Sequence, residues 1–155
     1  VIGANLIEYP VSAINYLKII SKKIKKYDGG LLIIDYGYVK NKGYNTLQAV
    51  KKHRYSNILS QASNADITSQ INYTLFHKIL KKNDLDINKI VNQGKFLQRL
   101  GIVKRANIIS DKISFKEKAN MFYRLKRLLS YEDMGNLFKV LFAQKKKTNF
   151  SLGFK

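Results

Sequence analysis

The triplet Asp35-Tyr36-Gly37 follows a short apolar run, residues 31–34, and is the strongest local candidate for chemistry in this chain. A carboxylate at the carboxyl end of a buried strand stands where ligands of open α/β sheets bind. Asp35 there can accept hydrogen bonds from a cofactor or orient a substrate cation. It can equally cap the following loop, since Asp ahead of a glycine turn often bonds its own backbone. His53, beside Arg54 and Tyr55, offers an imidazole as a proton acceptor, with an exposed or structural loop side chain as the plainer alternative. Gln93-Gly94 either presents a side-chain amide to a ligand or simply turns the chain into a helix. His77 sits among helical residues and reads as structural. Two His, no Cys and no HExxH spacing argue against a zinc site. Asp84-Leu85-Asp86 lacks the glycine and final glutamate of a calcium loop. The chain contains no G-x-G-x-x-G, P-loop or G-x-S-x-G motif.

The elements that must position these residues read as an α/β unit. Pro10 suits a first helical turn, and Val11, Ile14, Leu17, Ile20 and Ile24 recur at helical spacing. Lys22, Lys23, Lys25 and Lys26 complement the negative helix end, and Gly29-Gly30 is expected to stop the helix. Residues 31–34, apolar on both faces, predict a central parallel strand covered by helices. Residues 37–65 read as a long, functional irregular stretch with one short strand at 46–50. Asn72 reads as the N-cap of a helix over 73–82, and residues 87–91 as a strand. A helix is expected after Gln93-Gly94, interrupted by Gly101. Ser114 and Glu117 form a capping box for a helix turning Phe115, Ala119, Phe122, Leu125, Leu128 and Leu129 inward. A last strand is expected at 137–143, then a flexible basic tail over 145–155, all within one domain spanning 1–155.

With 155 residues and 45% hydrophobic content, the chain can bury a core and is not expected to be disordered. No apolar run reaches membrane-spanning length. The absence of cysteine excludes disulfides and thiolate metal sites. A net charge of +19 raises the possibility of a polyanion partner. The lysines are dispersed, however, which favours a solvated surface over nucleic-acid binding. The chain opens at Val1 with no signal-peptide pattern, and is expected to be a fragment or the product of a shortened gene.

Seven motifs in order carry a family resemblance. They are Gly30-Leu31-Leu32-Ile33-Ile34-Asp35-Tyr36-Gly37-Tyr38, Thr46-Leu47-Gln48-Ala49-Val50, His53-Arg54-Tyr55 and Ala65-Asp66-Ile67-Thr68, then three more downstream. Those three are Gln93-Gly94-Lys95-Phe96-Leu97, Leu100-Gly101-Ile102 and Met134-Gly135-Asn136-Leu137-Phe138-Lys139-Val140-Leu141. Together they resemble the C-terminal part of the MidA-like methyltransferases, the family of the mitochondrial complex I assembly methyltransferase and its bacterial relatives. The resemblance implies a Rossmann-like class I α/β fold, S-adenosylmethionine as methyl donor and a protein arginine as acceptor. It places Asp35, Tyr36 and Gly37 on the border of the cleft, and Gln48, His53, Arg54, Asp66 and Gln93 on its substrate side. Asp35, Tyr36 and His53 are the catalytic candidates among them. The family's glycine-rich donor loop would lie upstream of Val1, so the expected reading is a fragment inactive by itself. It would pair with a separate N-terminal half or self-associate. The alternatives are a non-catalytic homologue that binds a protein partner and, behind it, a basic nucleic-acid-binding domain. The compartment expected is bacterial cytoplasm or mitochondrial matrix.

Overall fold

The computed structural model describes residues 8–40, 45–52, 54–58 and 64–155. Helix α1 (Val11–Tyr27) buries Ile14, Leu17, Ser21 and Ile24 along one stripe, and the Ser21 hydroxyl donates to the Leu17 carbonyl at 2.6 Å. Pro10 stands just outside the helix as its N-cap residue. The expected glycine stop is made instead by Asp28, at φ 53°, a conformation Asp tolerates better than most residues. Gly30 already belongs to the next strand, where a Cβ would meet the Phe142 ring at 2.4 Å.

That strand, β1 (Gly30–Tyr38), is central but not parallel over most of its length. It pairs antiparallel with β8 (Phe138–Lys145) from Gly30↔Gln144 to Tyr36↔Phe138. Its parallel partner is the short β5 (Ile71–Asn72), matched only at Gly37 and Tyr38. One face of β1 is covered as expected. Leu31 and Ile33 pack on a core of Leu17, Ile24, Tyr73, Leu80, Leu141 and Ala143. The other face is not covered: Leu32 and Ile34 remain 47% and 43% exposed. An apolar run therefore signalled burial that the described residues supply on one side only.

Helix α2 (Tyr73–Lys82) begins at the expected cap, the Asn72 side chain accepting from the Leu75 amide at 3.0 Å. The strand expected at 87–91 splits into β6 (Leu85–Ile87) and β7 (Val91–Asn92), which pair with opposite ends of β8. Between them the Asn88 amide donates to the Phe142 carbonyl at 3.0 Å. The far side of β8 carries a second core of Val91, Phe96, Val140 and Phe154.

Helices α3 (Gln93–Arg99) and α4 (Ile102–Ser110) are separated by Gly101, whose φ of 83° suits glycine. Helix α5 (Phe115–Leu129) has the expected capping box, but its apolar stripe is not turned into a core. Phe115 is 88% exposed, and no α5 residue is buried. Leu137 ends the short helix α6 (Met134–Leu137) rather than opening the last strand.

Two further expectations change. The stretch read as irregular around one short strand at 46–50 does hold that strand, as β2 (Gln48–Lys51), but it is the centre of a three-stranded antiparallel sheet with β3 (Arg54–Ser56) and β4 (Asp66–Thr68), in the order β3-β2-β4. The tail over 145–155 is docked rather than loose. Phe150 and Phe154 pack on Phe142 and Phe96, and the Phe150 amide donates to the Gln144 side chain at 3.2 Å. No helix among the described residues is long and apolar enough to cross a membrane.

Candidate functional site

Asp35 is held at the carboxyl half of β1 by a residue far away in sequence. The Tyr73 hydroxyl, at the first turn of α2, accepts from the Asp35 amide at 2.9 Å. Its single proton is shared between the Asp35 carbonyl at 3.0 Å and the Lys139 carbonyl at 2.9 Å. Tyr73 is completely buried, and burial pushes its phenol well above the usual range. One hydroxyl thus ties β1, β8 and α2 together at the candidate residue. One Asp35 carboxylate oxygen accepts from the Tyr36 amide at 2.8 Å. No described residue is seen donating to the other.

Gly37 is required by space. A Cβ there would lie 2.3 Å from the Ile71 carbonyl oxygen and 2.8 Å from the Tyr73 ring. The Tyr36 ring stands edge-on to Phe138 at 5.8 Å. Beyond it, Tyr38 is buried, and burial followed by the Glu8 carboxylate pushes its phenol up against the lowering effect of a hydrogen bond with Asn72. Glu8 accepts from the Thr46 amide at 2.7 Å and from the Thr46 hydroxyl. That hydroxyl accepts in turn from the Gln70 amide at 3.0 Å. The network joins the approach to α1, the approach to β2 and the approach to β5 around the end of β1.

A cavity of about 420 Å³ lies at the entry to β8, lined in part by Arg127, Tyr131, Glu132, Asp133 and Asn136. Phe138, the first residue of β8, faces Tyr36, so this cavity opens near the same end of β1. Asn136 accepts from the Asn92 side chain at 2.8 Å.

The remaining sequence candidates fall elsewhere. Gln48 and Asp66 share a face of the small sheet by strand alternation, and Gln48 donates to the Thr68 hydroxyl at 3.2 Å. Asp66 lines a cavity of about 510 Å³ with Val50, Lys51 and Lys52. Arg54 pairs with Lys51 and so projects from the opposite face. Gln93 is buried at the start of α3, its side-chain amide donating to the Leu128 carbonyl at 3.2 Å. Next to it, a Cβ on Gly94 would sit 2.6 Å from the Leu129 carbonyl oxygen, so this motif fits the packing of α3 on the end of α5. His53 lies outside the described residues. Sequence reasoning gave no site role to Tyr73, Glu8, Glu132 or Asp133. No local signal marks Tyr73, whose partners Asp35 and Lys139 lie 38 and 66 residues away.

A family model described as S-adenosyl-L-methionine-dependent methyltransferase matches residues 3–91. The mitochondrial protein arginine methyltransferase NDUFAF7 of Xenopus tropicalis is 25% identical over 134 residues, 86% of this chain and 31% of that protein. The Drosophila melanogaster homologue is 27% identical over 95 residues, 61% of this chain and 22% of that protein. A Burkholderia thailandensis crystal structure bound to S-adenosyl-homocysteine superposes with a TM-score of 0.74 at 19% identity, covering 94% of this chain and 37% of that one. A native crystal structure from the same organism gives 0.75 at 19% identity, covering 93% of this chain and 38% of that one. The chain therefore spans about a third of the length of the Xenopus relative, and the structural likeness concerns the fold.

Proposed function

This chain belongs to the MidA-like family of S-adenosylmethionine-dependent methyltransferases, and we propose that it forms the acceptor-side wall of a protein arginine methyltransferase cleft. The observation that carries this reading is Asp35, fixed by Tyr73 at the carboxyl half of β1 with one carboxylate oxygen unpartnered among the described residues.

S-adenosylmethionine supplies an electrophilic methyl group in this family. The described residues contain no glycine-rich strand-to-helix turn to hold its nucleotide part, so the donor clamp is not among them. What the chain offers is chemistry toward a cationic acceptor. A guanidinium needs planar carboxylate partners that orient it and accept its protons. The second carboxylate oxygen of Asp35 is one such acceptor, and Glu132 and Asp133 in the neighbouring cavity supply two more carboxylates. Tyr36 and Phe138 form an aromatic pair at the same end of β1 but on its opposite face, by strand alternation. The exposed Leu32 and Ile34 mark the surface where the donor-binding part of the enzyme packs.

The relatives named as mitochondrial protein arginine methyltransferases support a mitochondrial setting for a eukaryotic member. The matrix, the link to respiratory complex I assembly and the bacterial cytoplasm for a bacterial member rest on the family resemblance of the seven motifs. The test is complementation of cells lacking the protein, with mass spectrometry of arginine methylation. Wild-type protein restores dimethylarginine and Asp35→Asn, produced at the same level, does not. Equal restoration by both overturns the assignment of Asp35.

A further inference from the structure

Helix α5 is amphipathic and its C-terminal end packs on α3 and α6, yet none of its residues is fully buried, so part of its apolar stripe stays open. That stripe faces α4 across a cavity of about 510 Å³. Its floor is apolar, with Ile102, Ala106 and Ile109 from α4 opposite Met121, Leu125 and Leu128 from α5. Each row repeats at helical spacing, which makes an elongated groove rather than a round pocket. Two arginines, Arg105 and Arg124, also line it, and neither makes an ion pair with a described residue. The one acid among the described residues that line the groove, Glu117, is already held by the Ser114 amide at 3.0 Å and the Ser114 hydroxyl at 2.6 Å.

We propose that the α4–α5 groove docks an acidic amphipathic helix of a protein partner, its apolar side on the groove floor and its carboxylates on Arg105 and Arg124. The wall from Glu117 to Leu128 is about 16 Å long at 1.5 Å per residue, room for roughly three helical turns. A second copy of the chain fits poorly, because it brings the same arginines and a net charge of +19 to the contact. Nucleic acid would engage the arginines and leave the aliphatic floor wet.

The probe is a fluorescein-labelled 16-residue helix with leucines on one face and glutamates flanking them, read by anisotropy against the whole protein. A second peptide of the same composition scatters the leucines around the helix. Saturable binding of the first, at least tenfold tighter than the scattered peptide and at least tenfold weakened by Arg105→Glu with Arg124→Glu, is the expected result. Equal binding of both peptides overturns the proposal, and that comparison needs no variant to fold. Displacement of the probe by poly-uridine RNA or phosphatidylserine vesicles at equal charge overturns it in favour of a general polyanion surface. A dimer in sedimentation that the double substitution dissolves overturns it in favour of self-association.

Discussion

Replacing Tyr73 with Phe removes one oxygen and leaves the ring in its completely buried position. The Asp35 amide then loses the acceptor it had at 2.9 Å, and the Asp35 and Lys139 carbonyls lose their shared donor. An unmet buried donor costs about 1–3 kcal/mol, and a lost neutral hydrogen bond about 1 kcal/mol, so the sum is about 3 kcal/mol. In a domain of this size that lowers Tm by roughly 6–12 °C, readable by circular dichroism. The effect also has a pH signature. Tyr73 is held protonated well above the usual phenol range by its burial, so above about pH 10 the unfolded state releases its proton first. The folded state then binds more protons than the unfolded one, and this part of the stability, complete below about pH 10, falls as pH rises. Wild-type protein should therefore lose stability above pH 10 more steeply than Tyr73→Phe. A Phe variant that melts within about 2 °C of wild type, with the same alkaline slope, would refute Tyr73 as the tie between β1, α2 and β8.

Gly37→Ala forces a Cβ to within 2.3 Å of the Ile71 carbonyl oxygen and should cost about 1–3 kcal/mol by overpacking, checked by urea denaturation. Leu32→Lys combined with Ile34→Lys should leave the fold intact, because both side chains are already exposed, while weakening any association through that face in sedimentation velocity. An isolated polypeptide of residues 1–155 should bind S-adenosylmethionine weakly or undetectably in calorimetry, since its described residues hold no donor clamp. Micromolar binding would show that the clamp has been sought in the wrong place.

What was legible in the sequence was mostly local. The Asn72 cap, the Ser114–Glu117 box and the break at Gly101 each depend on neighbours within four residues, and all three stand in the structure. The apolar run at 31–34 announced a strand, but not that its main partner would be antiparallel β8, more than a hundred residues on. The strands at 48–51, 54–56 and 66–68 are short and polar, so their pairing had no periodic signal to reveal it. Phe154 reads as part of a basic tail until the ring of Phe96 is there to receive it. In the candidate site, Asp35-Tyr36-Gly37 was visible as a strand end. Tyr73, which fixes it, was not, because a buried hydroxyl bridging three elements leaves no trace in spacing.

The central claim is that the second carboxylate oxygen of Asp35 works on the methyl acceptor. It is tested most directly by the rate of methyl transfer to an arginine-containing protein acceptor by the enzyme carrying this segment, wild type against Asp35→Asn, at saturating donor. Asn keeps an oxygen for the Tyr36 amide but offers the acceptor a neutral amide in place of a carboxylate. The expected result is a fall in kcat on the order of 10²-fold with an unchanged donor Kd. An unchanged kcat, or a loss confined to donor binding, would contradict the account.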